Sequence, residues 1–149
     1  MTKLSLPEYS FKFLKKENRL YIFDSFRKKY VVLTPEEWVR QNFLTYLVEG
    51  KGYKSSLIAV ETSIKYHSMQ KRCDALVYNS KGKIIMIIEC KSAQTELSQK
   101  VFDQAVRYNY PLQVKYLTIT NGLVHYCCEI DYNTGNYVFL NNIPAYIDL

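Results

Sequence analysis

Five apolar residues in a row, Ile84 to Ile88, followed by Glu89-Cys90-Lys91, constrain this chain more than any other stretch. Such a run reads as a strand covered on both faces, so Glu89 and Lys91 emerge at the end of a buried strand. It is the second arm of a hairpin, Arg72 to Lys91. The first arm is Cys73 to Tyr78, and the connection, Asn79-Ser80-Lys81-Gly82, is built of turn formers. If Asn79 faces Gly82, Asp74 lies opposite Ile87 and diagonal to Glu89, and alternation puts Asp74, Glu89 and Lys91 on one face. Two carboxylates and an ammonium then converge at one end of the hairpin, close enough for the acids to share a metal ion. A three-residue loop without a compensating bulge would separate them. A second reading stays open on these residues alone, with Lys91 neutralising Glu89 and Asp74 paired to Arg72 where the strand leaves the core.

A chain of 149 residues fits one domain and can bury a core without metal or disulfide staples. With 48% apolar residues and 5 glycines it is not a low-complexity chain, and no apolar run approaches membrane-spanning length. A soluble globular protein is expected. The first ten residues hold no signal core, and the cysteines form neither a disulfide framework nor a zinc-ligand spacing, which predicts a reducing, cytoplasmic setting. Cys73 and Cys90 alternate away from the acidic face as small core residues, and Cys127 and Cys128 point to opposite sides of a strand. A net charge of +6 and 14 tyrosines favour a polyanionic partner.

Taken in order, Phe11 to Leu14, Arg19 to Phe23 and Lys29 to Leu33 read as short antiparallel strands. They serve equally as a cover for the core or as a basic wall for nucleic acid. Thr34-Pro35-Glu36-Glu37 starts a helix that runs to about Val48, with Thr34 as N-cap and Glu37 closing a capping box. Gly50 and Gly52 mark its end. Ser56 to Tyr66 is a strand, and His67 an exposed turn residue; His67 and His125 are too isolated to suggest a triad or ligand pair. Thr95 caps a second helix that Pro111 stops, with Gln104 and Tyr108 one turn apart beside its apolar stripe. Val114 to Thr120 and Leu123 to Asp131 are strands joined by Asn121-Gly122, a type I′ hairpin signal, and Tyr137 to Leu140 is a last strand. No phosphate-binding G-x-x-x-x-G-K-[ST] loop is present, so this stretch carries no nucleotide-driven motor.

The order helix, strand, strand with Asp74, strand with Glu89-Cys90-Lys91, helix, strand resembles the core of the PD-(D/E)xK nuclease superfamily. More narrowly, LTPEEWVRQ, RCDALVY, IIECK, FDQAVRYN and TNG, in this order and spacing, resemble the N-terminal nuclease domain of type I restriction enzyme R subunits. Cys73 stands where that family often has proline before the aspartate. The resemblance implies an α/β (α+β) restriction-endonuclease-like αβββαβ core with a central mixed sheet flanked by helices, in a single domain over 1–149. Residues 1–33 would be an N-terminal antiparallel β extension, 34–131 the nuclease core and 132–149 a C-terminal strand and tail.

By the same resemblance Asp74 and Glu89 bind Mg²⁺ or Mn²⁺ with the Cys90 backbone carbonyl, and Lys91 serves the attacking water and the transition state. Gln104 and Tyr108 match the family's Q-x-x-x-Y motif on the nucleic-acid side. Glu37 matches the carboxylate that many members carry on the first helix, although capping is a sufficient role for it. The implied activity is metal-dependent endonucleolytic cleavage of DNA. The implied partners are DNA, a translocase or other restriction-system subunits, and a second copy in a homodimer, with no membrane. A catalytically silent nucleic-acid-binding or assembly module of the same fold, and a purely protein-binding domain, are the competing functions.

Overall fold

The computed structural model describes residues 1–149. The chain begins with a three-stranded antiparallel sheet, β1 (Phe13–Lys16), β2 (Arg19–Asp24) and β3 (Lys29–Val32). Glu17 and Asn18, between β1 and β2, both take positive φ (51° and 61°), the backbone that matches the twist of a tight hairpin. Between β2 and β3 the Asp24 carboxylate accepts from the amides of Phe26 and Arg27 (2.8 and 3.2 Å) and shapes the turn.

Helix α1 (Pro35–Lys51) starts where the sequence predicts. Thr34 Oγ1 accepts from the Glu37 amide at 3.0 Å, Pro35 sits in the first turn, and Gly52, at φ 74°, closes the C-terminus. Only half of the expected capping box forms, because the Glu37 side chain turns to Arg27, Arg40 and Gln41. Val39, Phe43, Leu44 and Leu47 are wholly buried against the main sheet. Each such side chain contributes roughly 1.5–3 kcal/mol by leaving water.

That sheet has six strands in sequential order: β4 (Ile58–Tyr66), β5 (Met69–Tyr78), β6 (Ile84–Cys90), β7 (Tyr116–Thr120), β8 (His125–Ile130) and β9 (Tyr137–Phe139). Neighbours are antiparallel except β6 and β7, whose parallel pairing needs the crossover supplied by α2 (Gln99–Asn109). Ala75, Val77, Met86 and Ile88 join the α1 core, while Leu76, Ile87, Leu117 and Ile119 join Phe102 and Val106 of α2. The strand with five apolar residues is therefore covered on both faces, as expected. Cys127 and Cys128 divide between the two cores, also as expected. The αβββαβ order and the N-terminal antiparallel extension are those foreseen, and no helix is long and apolar enough to cross a membrane.

Local details differ from the sequence reading. Met69 to Arg72, ahead of the first arm expected at Cys73, extends β5 and pairs with β4 through a turn in which His67 takes φ 55°. Thr95 does not cap α2. It closes a turn onto Ser92 (amide to carbonyl, 3.0 Å), and Ser98 caps instead, with the Val101 amide 3.4 Å from its hydroxyl. Asn121-Gly122 is not a two-residue type I′ turn: only Gly122 has positive φ, and Asn121 Oδ1 accepts from the amides of Leu123 and Val124 (both 2.9 Å) in a wider loop. His125 is less ordinary than its isolation suggested. It stacks on Phe43, and its ring nitrogens meet Thr120 Oγ1 at 2.7 Å and the Ser5 carbonyl at 3.1 Å, pinning the N-terminal segment.

Candidate functional site

The central hairpin closes differently from the simplest register, and the difference moves Asp74. The Asn79 carbonyl accepts from the Gly82 amide (3.0 Å), but the Asn79 amide donates one residue further on, to the Lys83 carbonyl (2.8 Å), and a bulge falls between Val77 and Tyr78. Leu76 consequently faces Ile87 and Ala75 faces Ile88, so Asp74 is carried two residues further along β6 than a position opposite Ile87. An even shift alone would keep Asp74 on the face of Glu89, but alternation is interrupted at Asp74, since Cys73 joins the α2 core and Ala75 the α1 core. The regular pairing stops at Asp74 on both sides: the β5–β6 ladder ends at Ala75, and the β4–β5 ladder skips the step beside Glu61, which has φ 49°.

Asp74, Glu89 and Lys91 line one open cavity of about 800 Å³ at the end of β6, together with Glu36, Glu61 and Cys73. Gln104 and Tyr108 line it from α2. The single face expected for Asp74 and Glu89 is not found: because the pairing breaks at Asp74, the two acids take partners on different sides of the sheet, Arg40 of α1 and Asn109 of α2. Asp74 Oδ2 accepts from the Cys90 amide (2.8 Å) and Oδ1 from Arg40 of α1 (2.9 Å). Glu89 Oε1 accepts from Asn109 Nδ2 of α2 at 2.8 Å. Lys91 donates its amide to the Thr120 carbonyl (2.8 Å), and its ammonium makes no ion pair. Neither ion pair of the alternative arrangement forms: Lys91 does not pair with Glu89, and Arg72 bonds Glu61 (2.7 Å) rather than Asp74.

Arg40 is the residue that sequence reasoning missed. Only 5% exposed, it bridges Glu37 (2.6 Å), Glu61 (2.6 Å) and Asp74 (2.9 Å). Burial works against its charge, but the fields of Glu37 and Asp74 outweigh burial and raise its pKa. Arg27 extends the network, bonding Glu37 at 2.7 Å and Asp24 on β2. Glu37 is thus held by Arg27, Arg40 and Gln41 and does not line the cavity; Glu36 is the α1 acid that does.

Burial, with Glu89 and Asp74 nearby, pushes the Cys73 thiol up to about 11, so it stands neutral at the cavity wall rather than turned from it. Tyr108 is 47% exposed, and the buried Lys71 ammonium lies 3.8 Å from its ring centroid while donating to its backbone carbonyl.

The donor set suits a hard, partly hydrated cation. The side chains include no group of three or more His, Cys, Asp or Glu able to enclose a metal. Two carboxylates bordering one cavity nevertheless supply oxygen donors of the kind Mg²⁺ or Mn²⁺ takes while keeping several waters. Asp74 meets that demand only in competition with Arg40.

Residues 35–144 match the family described as type I restriction enzyme R protein N terminus (HSDR_N), leaving the three-stranded sheet outside the match. Among solved structures, a fragment from Vibrio vulnificus YJ016 described as an HsdR subunit of a type I restriction enzyme is similar in fold, with a TM-score of 0.52 and 24% identity. The match covers 76% of this chain and 24% of that one, so the chain spans about a quarter of the length of that structure. No curated protein matches.

Proposed function

The chain belongs to the type I restriction enzyme R protein N-terminal family, and from that premise we propose that it is a metal-dependent DNA endonuclease domain. One observation carries the reading: Asp74, Glu89 and Lys91 border the same cavity, and Lys91 is free of any ion pair. Asp74 and Glu89, with the Cys90 carbonyl, would hold Mg²⁺ or Mn²⁺. When bound, such an ion polarises a phosphate oxygen and lowers the pKa of water.

Lys91 orients or deprotonates the attacking water, or offsets the charge that builds on the phosphate oxygens. Asn109 fixes the Glu89 carboxylate and Arg40 fixes that of Asp74. Gln104 and Tyr108 face the DNA from α2. One site cuts one strand, so a double-strand break requires a second copy or a second encounter. A translocase or other restriction-system subunit is the expected partner, and four free cysteines suit a reducing, cytoplasmic setting.

The Arg40–Asp74 pair favours a second reading, a nucleic-acid-binding or assembly module without turnover. Nicking of supercoiled plasmid separates the two. The endonuclease reading expects Mg²⁺- or Mn²⁺-dependent nicking that Asp74→Ala and Lys91→Ala abolish. DNA binding indifferent to metal and to Asp74→Asn, with no nicking in either metal, selects the module.

A further inference from the structure

The N-terminal sheet carries most of the chain's excess charge. Between residues 11 and 33 there are seven lysines and arginines against Glu17 and Asp24, which is five of the chain's net six positive charges. The sheet's two faces differ sharply. Ile22 and Asp24, both 0% exposed, point inward. Alternation and the register of the strands put Lys12, Lys16, Arg19, Tyr21, Phe23 and Tyr30 together on the outer face, with Leu14 and Val32 flanking Tyr21 at its centre and the cations at its two ends.

No carboxylate shares that face. Phe23 and Tyr30 pair edge to face with ring centroids 5.2 Å apart, and Tyr30 stays 41% exposed. Stacking platforms for unpaired bases are built this way, with rings to take the bases and cations to track the phosphates.

We propose that the outer face of the N-terminal sheet binds a single-stranded DNA tract, at a site separate from the cavity. The sheet is tied to that cavity through Asp24, Arg27, Glu37, Arg40 and Asp74, each bonded to the next, so a strand held on it is linked to a residue that borders the cavity. The inference does not depend on whether the cavity cleaves.

Binding of a labelled oligothymidine to the full chain in EDTA, followed by fluorescence anisotropy against salt, tests it with cleavage silent. The expected result is tighter binding of the single strand than of a duplex of equal length, with Tyr30→Ala weakening it roughly tenfold. Tyr30→Phe should keep the affinity, which separates ring loss from misfolding. Charge reversal at Lys12, Lys16 and Arg19 should flatten the salt slope by about 2, at roughly 0.7 per phosphate contact. Equal affinity for the duplex, unchanged binding by Tyr30→Ala, or equally tight binding of polyglutamate, which offers charge without bases, would each overturn the proposal.

Discussion

Asp74 and Glu89 border the same cavity, yet the structure holds them in opposite ways. On the α1 side Asp74 belongs to a chain of buried and half-buried ions, Asp24–Arg27–Glu37–Arg40–Asp74, with Glu61 bridging Arg40 to Arg72. On the α2 side Glu89 has one neutral partner, Asn109, and the cation beside it, Lys91, has none. A charge locked among counter-charges in the interior contributes to a fixed geometry, whereas an unpaired ammonium at a cavity wall remains available to a phosphate or a water. Under the proposed function the α1 wall would position and the α2 wall would act.

Breaking the first wall should show mainly in stability. Arg40→Met leaves Asp74 without a counter-charge and Glu37 with Arg27 alone, and should cost about 3–5 kcal/mol in urea unfolding. A loss below 1 kcal/mol would mean that the network does not fix Asp74. The second wall should respond in rate. Lys91→Met should lower nicking by on the order of 10²–10³-fold, about 3–4 kcal/mol in the barrier, with the unfolding midpoint unchanged. Equal losses of stability at the two positions would erase the contrast.

Asn109→Ala removes a hydrogen bond to a charged acceptor and should cost about 1.5–3 kcal/mol, with metal-dependent activity falling in parallel. The smallest effect belongs to the exposed end of the network. Arg72, with a 77% exposed side chain, pairs with Glu61, and Arg72→Ala should cost no more than about 1 kcal/mol and less in high salt. At Glu61 burial pushes the carboxyl upward, but Arg72 and Arg40 outweigh it and hold its pKa below the ordinary 4.5. A depressed carboxyl stabilises the fold above its unfolded value, and that contribution is lost as pH falls through the folded value. The α1 wall should therefore weaken only in acid below about pH 4.5, and less so in the Arg72→Ala protein, as an acid unfolding titration would register.

Local signals made much of this legible in the sequence. Thr34 before Pro35 announces α1, and the apolar run Ile84 to Ile88 announces a strand between two layers. Alternation alone puts Glu89 and Lys91 at its end. What stayed hidden depends on contacts distant in sequence. Arg40 reads as an ordinary helical arginine until the fold brings it to Asp74, 34 residues away. The bulge between Val77 and Tyr78 has no residue signature, so the register of Asp74 could be counted only on the assumption of a regular turn. Asn121-Gly122 misled for a related reason. Built on Gly122, a Cβ would meet Leu4 Cδ2 at 2.7 Å, so the glycine answers to the N-terminal segment packed over it as well as to its φ of 83°.

The claim on which the rest turns is that Asp74 and Glu89 share one cation, and a crystal soaked in Mn²⁺ tests it directly by anomalous difference density. The account predicts a peak within coordination distance, about 2.0–2.4 Å, of both carboxylates, with Arg40 drawn back from Asp74. A map with no peak in the cavity, or with manganese bound elsewhere while Arg40 keeps its grip on Asp74, would contradict it.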